Sequence, residues 1–214
     1  MDAISFSLVP EPLERALAPI LEPDRAVLCL PRPLPPGSRR ALAQVAARPP
    51  FEVRARLDAS DADPSPLLVH VAHAAARAYL ARDIAALAAA FGALLDRRHV
   101  HAQLAVVTHD ACRKLHADFV TLRLLRTYAG PGTEWVDAPR REHLARADVD
   151  VETANRLVLG DAPLQRAAAG DVVLLKGEGW PGQRGAGAVH RSPPIVAAGL
   201  RRLVLKLDEH PCGC

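Results

Sequence analysis

Lysine is scarce in this chain: only Lys114, Lys176 and Lys206 occur, and arginine supplies nearly all the positive charge. That bias fits GC-rich bacterial coding rather than a chemical need. No run of basic residues stands out and the formal charge is only +3, so nucleic acid is not the expected partner. The start, MDAISFSLVPEPLE, lacks the basic and apolar regions of a secretory signal. The longest apolar stretch, Ile84 to Leu95, lies between Asp83 and Asp96. It falls short of the roughly 20 residues that cross a bilayer. These absences predict a cytoplasmic protein without a membrane segment. Cysteine is present as Cys29, Cys112, Cys212 and Cys214, but no CxxC pair exists. A zinc ribbon and a thioredoxin-type site are thereby excluded. A reducing compartment makes disulfides unexpected, and Cys29, inside AVLCL, reads as a core residue.

The length of 214 residues suits a single domain over 1–214. Prolines crowd residues 1–50 and leave room only for short elements. A helix is expected near 11–21, a buried strand at 26–30 and a helix near 38–47. FEVRARL (51–57) alternates like a strand. Ser65-Pro66 is placed to start a helix, and 67–97 reads as one or two Ala-rich helices. The second half changes character. Strands are expected at 99–108, 119–128, 170–178, 188–191 and 202–208, separated by Gly/Pro turns. The predicted class is α+β, with a helical and mixed layer (1–100), a β core of barrel or double-sheet jelly-roll type (100–208) and a flexible tail (209–214).

The chemistry centres on His116-Ala-Asp118 and the distant His190. A bare HxD match is common by chance, so its surroundings must carry the reading. Residues i and i+2 of a strand share a side, which lets His116 and Asp118 converge on one ion. Two imidazoles and one carboxylate suit a ferrous ion with open positions, or zinc with a bound water. If the strand runs on without a bulge, Arg126 and Tyr128 share that face and line a cavity for an acidic co-substrate. Beyond the glycine-rich loop 179–188 and His190 come Arg201 and Arg202, at the head of an apolar strand. Arg201 shares parity with Leu203, Leu205 and Leu207, which favours it as the inward arginine; a register shift favours Arg202.

Other residues have plainer readings. Arg123 is expected on an exposed strand face, and Lys176 either at a site or on such a face. His70 and His73 fit a helix face, and His99 and His101 an exposed strand edge. Cys112 reads as packed, or as a zinc partner of His116 if DACRKLH is helical. Glu134 and Glu178 are acid–base candidates or backbone anchors. Trp135 and Trp180 suit a core. The end, His210-Pro-Cys-Gly-Cys214, carries two thiols and an imidazole that suit a soft ion, or simply frays.

The order HxD, strand, Gly-Asp-strand, His, then Arg at a strand head resembles the double-stranded β-helix, cupin-like Fe(II) oxygenases over residues 112–208. GPGTEW (130–135) departs from that pattern. The resemblance implies Fe(II) at His116, Asp118 and His190. It also implies 2-oxoglutarate as co-substrate and an arginine (Arg201 or Arg202) as its carboxylate anchor. HADFVTLRLLRTYAGPGTEW, GDVVLLKGEGWPG, HRSPP and RRLVLKLD resemble the bacterial family named domain of unknown function 1826. Some members of that family bear a succinylglutamate desuccinylase label, but its HxxE motif followed by a ligand His is missing here. The family's zinc-responsive gene neighbourhoods, with metallochaperone GTPases, imply a role in metal homeostasis. Three functions follow as expectations: an Fe(II) oxygenase acting on a small molecule, a zinc-buffering module with a metal-trafficking partner, and a structural or protein-binding domain.

Overall fold

Alternation along the last strand sets the architecture. Leu203, Leu205 and Leu207 are buried on one side, whereas Arg202, Lys206 and Asp208 occupy the alternate positions. A strand of this kind separates an apolar layer from a polar one. The computed structural model describes residues 12–209. Its strands are β1 (Val27–Leu30), β2 (Glu52–Asp58), β3 (His99–Val107), β4 (Leu122–Ala129), β5 (Glu134–Val136), β6 (Gln165–Arg166), β7 (Val172–Lys176), β8 (Val189–Arg191) and β9 (Arg202–Asp208). Its α-helices are α1 (Leu13–Leu17), α2 (Pro36–Ala46), α3 (Ala74–Leu95) and α4 (Val151–Leu159).

The strands form a six-stranded sheet in the order β1-β7-β4-β9-β3-β2 and a three-stranded sheet in the order β6-β5-β8. Neighbouring strands in both sheets pair antiparallel. The class is therefore mixed α+β, with antiparallel sheets.

One face of the large sheet carries the main core. Leu122 and Leu124 of β4, Val172 and Leu174 of β7, and the leucines of β9 pack with α2 and α3. Leu42 and Val45 come from α2, and Leu80, Ile84, Leu87 and Phe91 from α3. Each such side chain contributes roughly 1.5–3 kcal/mol on burial. By length and composition α3 is apolar enough to cross a membrane; in this fold its leucines and Phe91 cover the sheet instead. The other face of the large sheet turns Val173 and Leu175 toward Trp135, Ala167 and Ala188 of the small-sheet region. Behind the small sheet, Val158 of α4 packs on Val136, Val189 and Leu115.

Local signals explain the element ends. His73 caps α3 by accepting from the Ala76 N–H at 3.3 Å. Asp96 ends the helix in a left-handed conformation, φ 52°, which Asp tolerates. Asp150 caps α4 by accepting from Thr153 N–H at 2.8 Å. Pro36 opens α2, where its missing N–H costs nothing.

Some expectations are corrected. β4 begins at Leu122, so residues 116–121 lie outside it. The first hundred residues are more than a layer, because β1 and β2 form the two edges of the large sheet. His99 and His101 sit on β3, between β2 and β9, and not on a strand edge. Neither His70 nor His73 lies on a helix face; His70 rests against Phe51, with ring centroids 5.4 Å apart.

Cys29 is half-buried, with its sulfur 3.9 Å from Asp171 Oδ2. Burial and the adjacent Asp171 charge push its thiol up to about 11. Since the thiolate is the reactive form, Cys29 is predicted to react with iodoacetamide at pH 8 at least ~10-fold more slowly than exposed Cys112. Its rate should climb as pH approaches 11. Peptide mass spectrometry reads both sites, and equal rates would contradict this environment.

Candidate metal centre

The centre is assembled by backbone pairing. His116 forms an isolated antiparallel bridge with His190. The His116 N–H donates to His190 O at 3.0 Å, and the His190 N–H returns the bond to His116 O at 2.9 Å. Residues directly opposite in such a pair send their side chains to the same face. Their rings stand 4.7 Å apart between centroids. β8 thus brings residue 190 alongside residue 116, 74 positions earlier.

Asp118 completes the group through a second clamp. The Glu178 N–H donates to Asp118 O at 2.9 Å, Gly177 N–H to Thr121 O at 3.0 Å and Gly179 N–H to Val120 O at 3.1 Å. The backbones approach so closely that a Cβ on Gly177 would meet Val120 O at 2.0 Å. Glycine is required at 177, and at Gly179 a Cβ would stand 3.1 Å from Val120, a tight fit.

Asp118 Oδ2 lies 3.2 Å from His190 Nε2, and Oδ1 lies 3.5 Å from His116 Nε2. One ligand atom from each of the three residues falls within 4.8 Å of the others, and no second such group occurs among the described residues. Each imidazole has its far nitrogen engaged. His116 Nδ1 lies 2.7 Å from Lys114 O and His190 Nδ1 lies 3.1 Å from Ala188 O. A main-chain carbonyl accepts, so Nδ1 carries the proton and Nε2 is the nitrogen turned to the centre. This is the outer-shell arrangement of metal-binding histidines. His116 remains one-third exposed at its side chain, whereas His190 is buried.

Burial opposes charge on the His116 ring, but Asp118 and the Lys114 carbonyl outweigh it and raise its pKa. Burial also works against charge on Asp118, yet the adjoining His116 and His190 rings and the Arg123 charge hold it far below the usual carboxylate range. The three side chains offer two imidazole nitrogens and one carboxylate, a donor set that fits a divalent cation.

Arg123 corrects the expectation of an exposed strand face. It is buried, donates from Nε and Nη2 to the two oxygens of Asp208 at 2.8 and 2.9 Å, and donates from Nη1 to Asp118. It therefore steadies the carboxylate of the centre. Asp208 was not singled out in the sequence, although its parity with Arg202 and Lys206 marks the polar face of β9.

Arg202, of the two candidate arginines, lies on this inner face. It is 3% exposed. Its Nε donates to Pro131 O at 2.8 Å, Nη1 to Ser192 Oγ at 3.0 Å and Nη2 to Thr127 Oγ1 at 3.2 Å. A guanidinium has five N–H groups, so donors remain on both Nη atoms. No carboxylate pairs with it among the described residues. Burial lowers its pKa to about 10, against the opposing pull of Glu134. Ser192 follows His190 by two residues, and Thr127 shares the β4 face of Arg123, about 13 Å along the strand.

Arg201, Arg126 and Tyr128 are placed elsewhere. Arg201 Nη1 donates to the carbonyls of Ala46, Ala47 and Arg48 and so caps the end of α2. Its parity with the leucines of β9 was real, but that leucine face packs on helices. Arg126 and Tyr128 also face the helices, where both engage Asp83 of α3. The parity linking them to His116 fails because His116 pairs with the small sheet and β4 starts six residues later. Cys112 is exposed, in a turn with φ 57°, so no helix carries it toward His116. Glu134 is fully buried and binds Arg166 and Arg191. Lys176 is buried too, donating to Glu22 O at 2.7 Å. His210, Cys212 and Cys214 lie outside the described residues.

Residues 13–208 match the family model described as "Protein of unknown function (DUF1826)", and the chain belongs to that family. No curated protein matches the sequence. Among solved structures, a rice dioxygenase for auxin oxidation is similar at 13% identity and a TM-score of 0.48. That similarity covers 88% of this chain and 74% of the rice chain. A prolyl-4-hydroxylase of Pseudomonas putida is similar at 16% identity and a TM-score of 0.46, over 94% of this chain and all of the hydroxylase.

Replacing Arg123 with Gln would take from buried Asp208 and part-buried Asp118 the cation they share, leaving Asp208 only the more distant Lys206 at 3.9 Å. Arg123→Gln is predicted to cost about 3–5 kcal/mol in urea unfolding of the metal-free chain. Adding Asp208→Asn to that variant should restore part of the loss. An unchanged unfolding midpoint in Arg123→Gln would contradict the bridging role.

Proposed function

We propose that this chain is a mononuclear Fe(II) enzyme of the oxygenase kind, with 2-oxoglutarate as co-substrate and a jelly-roll (double-stranded β-helix) core. The observation that carries the reading is the trio of ligand atoms from His116, Asp118 and His190, within 4.8 Å of one another. The Nδ1 of each imidazole rests on a main-chain carbonyl, which supports a ligand role for Nε2. Two antiparallel sheets with an apolar cluster between them support the jelly-roll reading.

His116 and His190 would hold the ion through Nε2, and Asp118 through its carboxylate. Bound Fe(II) supplies oxygen activation at positions that two histidines and one carboxylate leave open. Arg123 fixes the Asp118 carboxylate, so the site is preorganised rather than gathered around its ion. Arg202 would take the far carboxylate of the co-substrate with its remaining N–H groups, because a buried guanidinium without a counter-charge favours an anion strongly. Thr127 and Ser192 accept from Arg202 and keep its fork aimed. Arg202 is buried from water, which strengthens that pairing.

Oxygen uptake by the purified chain is expected to require both Fe(II) and 2-oxoglutarate. His190→Ala should lose metal and uptake together. Arg202→Gln should keep its metal but need roughly 10–100-fold more 2-oxoglutarate, the cost of one charged hydrogen-bonded contact. Tightly held zinc with no oxygen uptake would point instead to a zinc protein. Undiminished uptake in His116→Ala would end the proposal.

A further inference from the structure

We propose that a cleft on the helix-bearing side of the large sheet binds a small oxyanion, a phosphoryl or carboxylate group, against Arg126. The cleft has a volume of about 250 Å³ and is lined by Arg32, Pro33, Pro35, Tyr79, Arg82, Asp83 and Arg126. It lies across the sheet from the metal centre: Arg126 leaves β4 on the helix side, whereas Arg123 and Thr127 leave it on the other.

Arg126 forms the floor and is 1% exposed. Its Nη2 donates to Tyr79 Oη at 3.0 Å and more distantly to Arg32 O at 3.5 Å. Its Nε lies 3.1 Å from Asp83 Oδ2 but forms no aligned hydrogen bond, Nη1 is buried with no hydrogen-bond partner, and the guanidinium stands 5.3 Å from the centroid of the Tyr128 ring. Buried donors of a charged group are rarely left this way, because nothing repays the water they lost.

The charge count around the cleft is equally one-sided. Three guanidinium groups face a single carboxylate, Asp83. That carboxylate is already occupied: Arg32 pairs with Oδ1, and Tyr128 donates to Oδ2 at 2.7 Å. Two positive charges are left over. Tyr79, Arg82 and Asp83 stand at i, i+3 and i+4 of α3 and thus share one helix face. Arg82 is exposed at the rim and has no ion pair among the described residues. Pro33 and Pro35, which carry no N–H themselves, complete the lining.

These parts make a graded receptor. Arg82 meets the anion in solvent, Tyr79 has a hydroxyl proton to give because its oxygen already accepts from Arg126, and Arg126 takes the anion at the floor. The planar fork of arginine matches carboxylate and phosphate oxygens better than a spherical halide. This site is independent of the metal centre and of the function proposed for it.

The test is calorimetric titration of the full chain with inorganic phosphate, glycerol phosphate and succinate in turn, with sodium chloride holding ionic strength constant. At least one of the three should bind saturably with one site per chain, and the order among them separates free phosphate, phosphate ester and dicarboxylate as the source. Arg82→Ala, at an exposed position, should weaken that binding by about tenfold. Tyr79→Phe should weaken it as well, and Arg126→Gln should abolish it. Circular dichroism identifies any variant that fails to fold, and Arg82→Ala and Tyr79→Phe decide the matter if Arg126→Gln does. No saturable binding of any probe would overturn the proposal, as would binding that Arg82→Ala and Tyr79→Phe leave unchanged.

Discussion

The two reciprocal backbone hydrogen bonds between His116 and His190 hold the centre of this molecule together. They are ordinary antiparallel bonds, yet they fix which side of the small sheet each imidazole leaves from and how far apart the rings stand. Around that bridge the remaining geometry follows. The glycine pair 177 and 179 grips the 118–121 loop, and the loop sets Asp118 between the two rings. Arg123 then reaches across from the large sheet and ties Asp118 to Asp208 on β9. The centre is therefore stitched to both sheets, and its carboxylate is kept ionised by the same contacts that hold it in place.

The large sheet divides labour by parity. On β4 and β9 one set of alternate residues is leucine-rich and packs under α2 and α3, while the other set carries Arg123, Thr127, Arg202 and Asp208. The apolar face supplies stability, and the polar face holds Arg123, Arg202 and Asp208 in hydrogen bonds. Arg126 and Tyr128 break this division. They are polar groups on the apolar face, and α3 meets them with Asp83 and Tyr79.

The sequence was readable where pattern and chemistry agreed. His116, Asp118 and His190 could be named from HxD and the later histidine, and RLVLKLD occupies the 202–208 span expected of it. The α+β class was legible from the change of pattern near residue 99. Side assignment was harder. Arg201 was favoured for its parity with Leu203, Leu205 and Leu207, but leucines on a sheet between helices and a second sheet mark the helix side. Arg126 and Tyr128 were tied to His116 by counting along a strand that does not reach it. β5, β6 and α4 were missed because strands of three and two residues show no alternation, and α4 is only nine residues long. Arg123 was misread because a lone arginine among leucines looks the same whether it meets solvent or a buried aspartate. Its partner, Asp208, lies 85 positions away.

Anomalous diffraction at the iron edge from crystals loaded anaerobically with Fe(II) bears most directly on the metal centre. A single peak within roughly 2.0–2.3 Å of His116 Nε2, His190 Nε2 and an Asp118 oxygen is the expected result. A metal peak at the C-terminal His210, Cys212 and Cys214 with none between the histidines would contradict it.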